Sequence, residues 1–78
     1  MVVLKALLRQ AAERIGVLRY EKIQEVRDFV RNMDINIFKK EVDEIDDIEL
    51  LRLLWGAGLT AEQQEIVLKK TEELMSKK

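Results

Sequence analysis

The sequence predicts an all-α fold: a small bundle of four to five helices that is expected to be oligomeric. Apolar residues recur every three or four positions through most of the chain, which is the period of an amphipathic helix. The 78 residues include no proline and only three glycines, so few positions interrupt a helix. A complete helix stop and helix start also lies between Trp55 and Gln63. We therefore treat residues 1–78 as one helical domain.

Two amphipathic helices fill the first part of the chain. The apolar stripe loses register after Gly16, because Leu18 is followed only by Ile23, a step of five residues. Nothing in the four residues after Gly16 is a good N-cap, so one continuous helix to Met33 stays open as an alternative. The two predicted helices span residues 3–15 and 20–33.

Three further helices are predicted in the second part of the chain. Asp46 and Glu49 have the spacing of a capping box, in which two side chains satisfy the amide groups at a helix start. We therefore expect a new helix at Asp47, although Ile45 and Ile48 keep helical spacing and would also allow continuation from the third helix. The predicted helices span residues 36–45, 47–57 and 61–76.

The junction before the fifth helix is the strongest local signal in the chain. Gly58 can adopt the left-handed conformation that closes a helix, and Leu59 can fold back on Leu53 or Leu54 of the preceding one. The next residues, Thr60-Ala61-Glu62-Gln63, have the pattern of a capping box. Together these residues predict a tight turn between two helices.

The apolar stripes also predict which side chains form the core. In the fifth helix, Leu68, Thr71 and Met75 are expected to face inward. Trp55 is assigned to the core, with an interfacial position as the alternative. The residues expected to build the core are Leu8, Ile15, Ile23, Val26, Val30, Phe38, Val42, Leu51, Leu54, Trp55, Val67 and Leu74.

Charge is nearly balanced over the chain but unevenly distributed. The formal net charge is −1, so the molecule as a whole has no electrostatic preference for nucleic acid or for an anionic membrane. Residues 1–33 carry seven basic and four acidic side chains, whereas residues 34–60 carry three and seven. These regions can neutralise each other within one fold or across a dimer, or serve as two docking surfaces. The apolar run at the start of the chain is too short for a signal peptide or a membrane span, so we expect a cytoplasmic protein.

Neither catalysis nor cofactor binding is expected, and we predict no enzyme, no metal site and no cofactor. The chain has no histidine and no cysteine, which removes the usual bases, nucleophiles and zinc ligands. Carboxylates between Glu41 and Glu49 could attract Mg²⁺ or Ca²⁺, but an EF-hand loop starting at Asp43 or Asp47 would lack glycine at its sixth position. We interpret this acidic run as a solvated face with helix caps.

The function that we favour is protein–protein interaction, as a homodimer or as an accessory subunit that docks on a larger partner through an apolar helix. A domain of this size buries only about 60% of the surface that its unfolded chain exposes. The helix before Gly58 is apolar nearly all round, more than a small bundle is expected to cover. The interface residues expected there are Ile48, Leu51, Leu54, Trp55 and Leu59.

The alternative is a nucleic-acid-binding protein. One candidate surface is the helix-turn-helix of residues 50–68, although its second helix starts with the carboxylates Glu62 and Glu65, which would face phosphates. The other is the basic face of the first two helices. The residues of that face are Arg9, Arg14, Arg19, Arg27 and Arg31.

Overall fold

A computed structural model describes residues 3–76, and within that range it contains five α-helices and no strand. The all-α prediction is thereby confirmed. The radius of gyration over Cα atoms is 11.7 Å, close to the about 11.5 Å expected for a globule of this length. Of the predicted domain, Met1, Val2, Lys77 and Lys78 lie outside the described residues. The helices are α1 (Val3–Ala12), α2 (Gly16–Arg31), α3 (Ile35–Asp43), α4 (Ile48–Trp55) and α5 (Ala61–Ser76).

The break between α1 and α2 lies earlier than predicted, and the alternative of one continuous helix to Met33 is wrong. The first helix ends at Ala12, not at residue 15, and the second begins at Gly16, not at residue 20. Gly16 has φ +60°, a left-handed conformation that glycine adopts without strain, and it turns the chain after the extended Ile15. No side chain caps the start of α2, so the N-cap pattern gives no signal there. The apolar stripe that begins at Tyr20 therefore predicts a start that is four residues too late.

Aspartate side chains start α3 and α4. Asp34 accepts hydrogen bonds from the backbone N–H groups of Asn36 at 2.8 Å and Ile37 at 3.4 Å. Asp47 accepts one from the N–H of Glu49 at 2.9 Å. The capping box predicted for Asp46 and Glu49 is therefore wrong, because Asp47 is the N-cap of α4. Continuation from α3 into α4 is also wrong, since the three residues before Ile48 are not helical.

The turn between α4 and α5 follows the prediction closely. Gly58 has φ +75°, and Leu59 is buried in the core cluster that also contains Leu54. Thr60 and Gln63 form the reciprocal capping box: the Thr60 N–H donates to Gln63 Oε1 at 3.0 Å, and the Gln63 N–H donates to Thr60 Oγ1 at 3.2 Å.

The end of α4 differs from the prediction, because the helix stops at Trp55 and not at residue 57. Its last carbonyl groups accept hydrogen bonds of the 3₁₀ type, from amides three residues further along the chain. The Gly56 N–H donates to Leu53 O at 3.2 Å, and the Ala57 N–H donates to Leu54 O at 3.0 Å. Such bonds tighten the final turn and end the α-helical pattern before Gly58.

Gln63 joins this turn to the far end of α2. Its side chain is only 4% exposed, and it is the one polar side chain in the buried set of the described residues. The Gln63 Nε2 group donates to the carbonyl oxygen of Val30 at 3.0 Å, across 33 residues of sequence. With both capping-box bonds satisfied as well, the amide is buried at little cost.

The core contains most of the predicted residues. The prediction that Ile15 lies in the core is wrong, because α1 ends before Ile15 and the residue is 78% exposed. Trp55 is wrong as a core residue and is 45% exposed. Ile23 and Leu74 are half-buried against the cluster. Predicted residues found buried are Leu8, Val26, Val30, Phe38, Val42, Leu51, Leu54 and Val67; buried residues absent from the predicted core are Leu4, Ala11, Ile45, Leu50, Ala57, Leu59 and Gln63.

Replacing Gln63 by Ala should lower the free energy of unfolding by about 2 kcal/mol, because a cap and a buried hydrogen bond are lost together. Urea unfolding followed by circular dichroism measures this change. The matched control is Gln64→Ala, one position along the same helix but exposed, which should stay within about 0.5 kcal/mol of the wild type.

Gln63→Glu tests the link to Val30 separately: it keeps the capping-box acceptor but offers no amide donor. Full stability in that variant would show that the link does not matter.

Gly58→Ala should destabilise the fold by about 1 kcal/mol, because alanine is strained at φ +75°. Crowding is not the cause, since an added Cβ would be 3.8 Å from Arg27 Nε, an ordinary contact. Gly56→Ala is the control: Gly56 has φ −76°, and there alanine should be neutral or slightly stabilising. Equal unfolding midpoints for the two variants in thermal denaturation would contradict this account of the turn.

Candidate interaction surfaces

An apolar groove lies between α4 and α5, and we call it the α4–α5 groove. It encloses about 170 Å³ and is lined by Leu51, Arg52, Trp55, Val67, Leu68 and Thr71. Trp55 on one wall is 45% exposed and Leu68 on the other is 49% exposed. Met75, seven residues beyond Leu68 on the same helix, is 58% exposed. Large apolar side chains therefore continue along α5 past the groove.

The groove exists because α4 is short and apolar on most of its circumference. Its eight residues bury Leu50, Leu51 and Leu54 against neighbouring helices, and Trp55 falls on the side that no helix covers. On the opposite wall, Thr71 Oγ1 donates to the carbonyl of Val67 at 2.9 Å. The hydroxyl is thus already satisfied, and a partner can cover it without leaving a polar group unpaired.

The structure separates the predicted interface residues. Leu51, Leu54 and Leu59 are buried in the core, and a partner cannot reach them without opening the fold. Ile48 is half-buried, and Trp55 is the only one of the five that is exposed.

Sequence reasoning missed the α5 half of the groove. Leu68, Thr71 and Met75 were expected to face inward, yet Leu68 and Met75 are exposed and Thr71 is half-buried. The signal was the width of the apolar stripe on α5, which is larger than one face of a helix can bury in a small bundle. Val67 and Leu74 take the inward side of that stripe.

The basic residues of the first two helices have different roles. Arg19 caps the C-terminal end of α1: its Nε donates to Arg14 O at 2.8 Å and Ala11 O at 3.2 Å, and its Nη2 to Ala12 O at 3.3 Å. Arg14 itself donates to the carbonyl of Gln10 at 2.9 Å. These two cations are engaged by backbone oxygens, which reduces what the predicted basic face offers to a phosphate.

Arg27 and Arg31 lie together in a second hollow, which we call the α2–α5 pocket. It encloses about 220 Å³, and neither guanidinium group has a hydrogen-bond or ion-pair partner among the described residues. No carboxylate of residues 3–76 lines it. Glu62 and Glu65, the acidic residues at the start of α5, line a different hollow. The lining of the α2–α5 pocket is Arg27, Val30, Arg31, Gly58, Thr60 and Gln63.

The acidic run is used largely for structure. Glu41 Oε1 accepts a hydrogen bond from the Leu4 N–H at 3.0 Å and so caps the start of α1. Asp47 caps α4, and Glu49 lies 3.8 Å from Arg52 Nη1. Within residues 3–76 no three His, Cys, Asp or Glu side chains are grouped so that they could hold a metal ion.

Asp46 forms an ion pair that links α1 to the loop before α4. Its Oδ1 lies 3.2 Å from Lys5 Nζ. The hydrogen bond and the charge of Lys5 hold the pKa of Asp46 below its ordinary value, with smaller contributions from the backbone N–H of Asp46 and from the charge of Arg9.

The serine and threonine hydroxyl groups of α5 and of the residue that caps it offer no activated nucleophile. Ser76 Oγ donates to the carbonyl of Glu72 at 2.8 Å, and Thr71 is bonded to Val67 in the same way. Thr60 Oγ1 accepts the capping bond from Gln63. Each hydroxyl interacts with a helix backbone and none with a general base.

Fold and surface together define the class: a five-helix all-α globule with an apolar groove and a basic pocket, both bordered by α5. No protein-family model matches the chain, and no significant match is found among curated proteins or solved structures. Within the described residues, no helix is long and apolar enough to cross a membrane.

The ion pair between Asp46 and Lys5 should make the stability of the fold depend on pH. Because the folded-state pKa is lowered, the stabilisation is complete well above the ordinary value of 3.8 and is lost as the pH falls through the folded-state pKa. Asp46→Asn should therefore lower the melting temperature at neutral pH and make no difference in strong acid. Salt should shrink the neutral-pH effect, since Asp46 is exposed. Asp28→Asn, an exposed carboxylate on α2, is the control. A pH-independent difference for Asp46→Asn would contradict the ion pair.

Proposed function

We propose that this chain is a small non-catalytic protein–protein interaction module that self-associates through the α4–α5 groove. The observation that supports it is the group of large exposed apolar side chains at and beside that groove, Trp55, Leu68 and Met75. Exposed apolar side chains that line one groove are typical of interaction sites. Tryptophan is also the residue type most enriched where binding energy concentrates.

The energetics favour covering this surface. Each Å² of apolar surface removed from water contributes about 25 cal/mol, and neither wall carries an unsatisfied polar group that would oppose burial. Arg52 is the only charged residue in the lining, and its head group can stay solvated at the edge. A stable interface buries about 800 Å² per partner, so the groove would supply its centre and the charged flanks its rim.

A second copy of this chain fits the surface because α5 carries exposed apolar residues, Leu68 and Met75, that can face each other in an antiparallel pair. In an antiparallel pair of α5 helices, one register places Leu68 opposite Met75 of the second copy. The same contacts then occur twice about a two-fold axis, as in most homodimers. The other possible occupant is an amphipathic helix of a different protein, in which case the chain is an accessory subunit.

Trp55→Ala combined with Leu68→Ala should raise the dimer dissociation constant at least about tenfold, since truncating an interfacial tryptophan costs about 2 kcal/mol or more. Sedimentation equilibrium over a wide concentration range measures this. Helix content should persist, because both side chains are about half exposed in the single chain. Ile37→Ala on α3, another exposed apolar residue, should leave the dissociation constant unchanged.

A wild-type protein that stays monomeric at high concentration would overturn self-association. The accessory-subunit reading would then be tested by co-purification from the native source, with the Trp55 and Leu68 double variant as control. Equal recovery of partners by wild type and variant would overturn the module proposal altogether.

A further inference from the structure

We propose that the α2–α5 pocket binds a single phosphate group, as inorganic phosphate or as a small phosphate monoester. This site is independent of the proposed self-association, because the pocket shares no lining residue with the α4–α5 groove. Its walls are the last turns of α2, which carry Arg27 and Arg31, and the turn from Gly58 to Thr60.

The first argument is that two like charges are held together without compensation. Arg27 and Arg31 are four residues apart on one helix face, a spacing at which like charges repel. Several other cations of the molecule have carboxylate partners: Lys22 lies 2.6 Å from Glu25 and Lys69 lies 3.9 Å from Glu65. No described residue pairs with either arginine of the pocket. An anion between them would remove the repulsion and satisfy both guanidinium groups.

The second argument is the chemistry of the lining. Guanidinium groups present N–H donors in a planar fork that matches the oxygens of phosphate, and such charge-assisted bonds are strong. Arg27 extends over the turn, where its Nε lies 3.8 Å from the position that a Cβ on Gly58 would take. The Thr60 hydroxyl accepts the capping bond from Gln63 and donates to no described residue, so its hydrogen is available to a phosphate oxygen. The pocket thus offers donors and no carboxylate.

The third argument decides between one phosphate and a nucleic-acid strand. A strand requires a row of available cations along its backbone. On the first two helices, Lys5 is paired with Asp46, Lys22 with Glu25, and Arg19 with the end of α1. What remains on these helices is Arg9, whose charge acts on Asp46, and the local pair in the α2–α5 pocket. Its volume of about 220 Å³ suits a phosphate or a small ester, not an extended chain.

The test is a titration of the ¹⁵N-labelled full chain with inorganic phosphate, followed by two-dimensional NMR at constant ionic strength set with sodium chloride. Saturable shifts should occur at the Nε–Hε groups of Arg27 and Arg31 and at the backbone of Thr60. Shifts spread over all basic residues, or shifts that chloride reproduces, would overturn the site.

The variant Arg31→Gln should weaken phosphate binding on the order of tenfold or more. Its matched control is Lys40→Gln, which removes the same charge from an exposed position on α3 and should bind as the wild type does. Both variants are checked for the native NMR spectrum before titration. Equal weakening in the two variants would show only a net-charge effect and overturn the assignment.

Two further ligands identify the source of the phosphate. Phenyl phosphate bound with the same residues and similar affinity supports a monoester, whereas binding of inorganic phosphate alone supports the free ion. A short oligothymidylate that binds at least tenfold tighter than phosphate, with shifts extending to Arg9, would overturn the single-phosphate site in favour of nucleic acid. A chain that stays monomeric still carries the α2–α5 pocket, so the dimer proposal can fail without overturning the phosphate site.

Discussion

The hydrogen bonds of the buried Gln63 side chain hold the start of α5 in place. One end of the amide accepts from the Thr60 N–H and completes the capping box, while the other donates to Val30 at the end of α2. A single side chain therefore starts the last helix and fixes it to a helix more than thirty residues earlier. Both candidate surfaces depend on this position of α5, because the helix supplies one wall of the groove and its first turn borders the pocket.

Short helices in this fold are completed by side chains from other parts of the chain. The ten-residue α1 is capped at its start by Glu41 and near its end by Arg19, and α3 is capped at its end by Lys70, whose Nζ donates to Asp43 O at 3.0 Å. Isolated helices of this length are marginal in water, so these caps matter for the fold. These caps also occupy charged side chains. A simple count of basic and acidic residues in the sequence would treat the same side chains as available for ligands.

How much the sequence could predict follows from this division between local and distant contacts. The caps at Asp34 and Asp47 and the box at Thr60 act within three residues, so turn and cap patterns locate the starts of α3, α4 and α5 to within a residue. Glu41 reaches its partner across 37 residues and Lys70 across 27, and no local pattern reveals such a contact.

The candidate site was predictable only in part for the same kind of reason. Periodicity shows that a residue is apolar and on a stripe, not whether a neighbouring helix covers that side of the stripe. Trp55 and Leu68 lie on the same helices as buried apolar residues. They differ from those residues only in lying on the side of the helix that neighbouring helices leave exposed. The pairing of Arg27 and Arg31 with the Gly58 turn depends on how α5 docks, which the chain determines through Gln63.

The two surfaces are physically coupled although they have no residue in common. Both require α5 in its docked position, and an unfolded chain would bind neither a second copy nor a phosphate with the same contacts. Each ligand that binds the docked form therefore stabilises it by mass action, in proportion to the logarithm of ligand concentration over dissociation constant. In a domain of 78 residues that has no cysteine for a disulfide, a gain of this kind is a substantial fraction of the total stability. Phosphate in the α2–α5 pocket can strengthen self-association by at most RT ln(1 + K), where K is the ratio of undocked to docked α5, and the reverse holds equally.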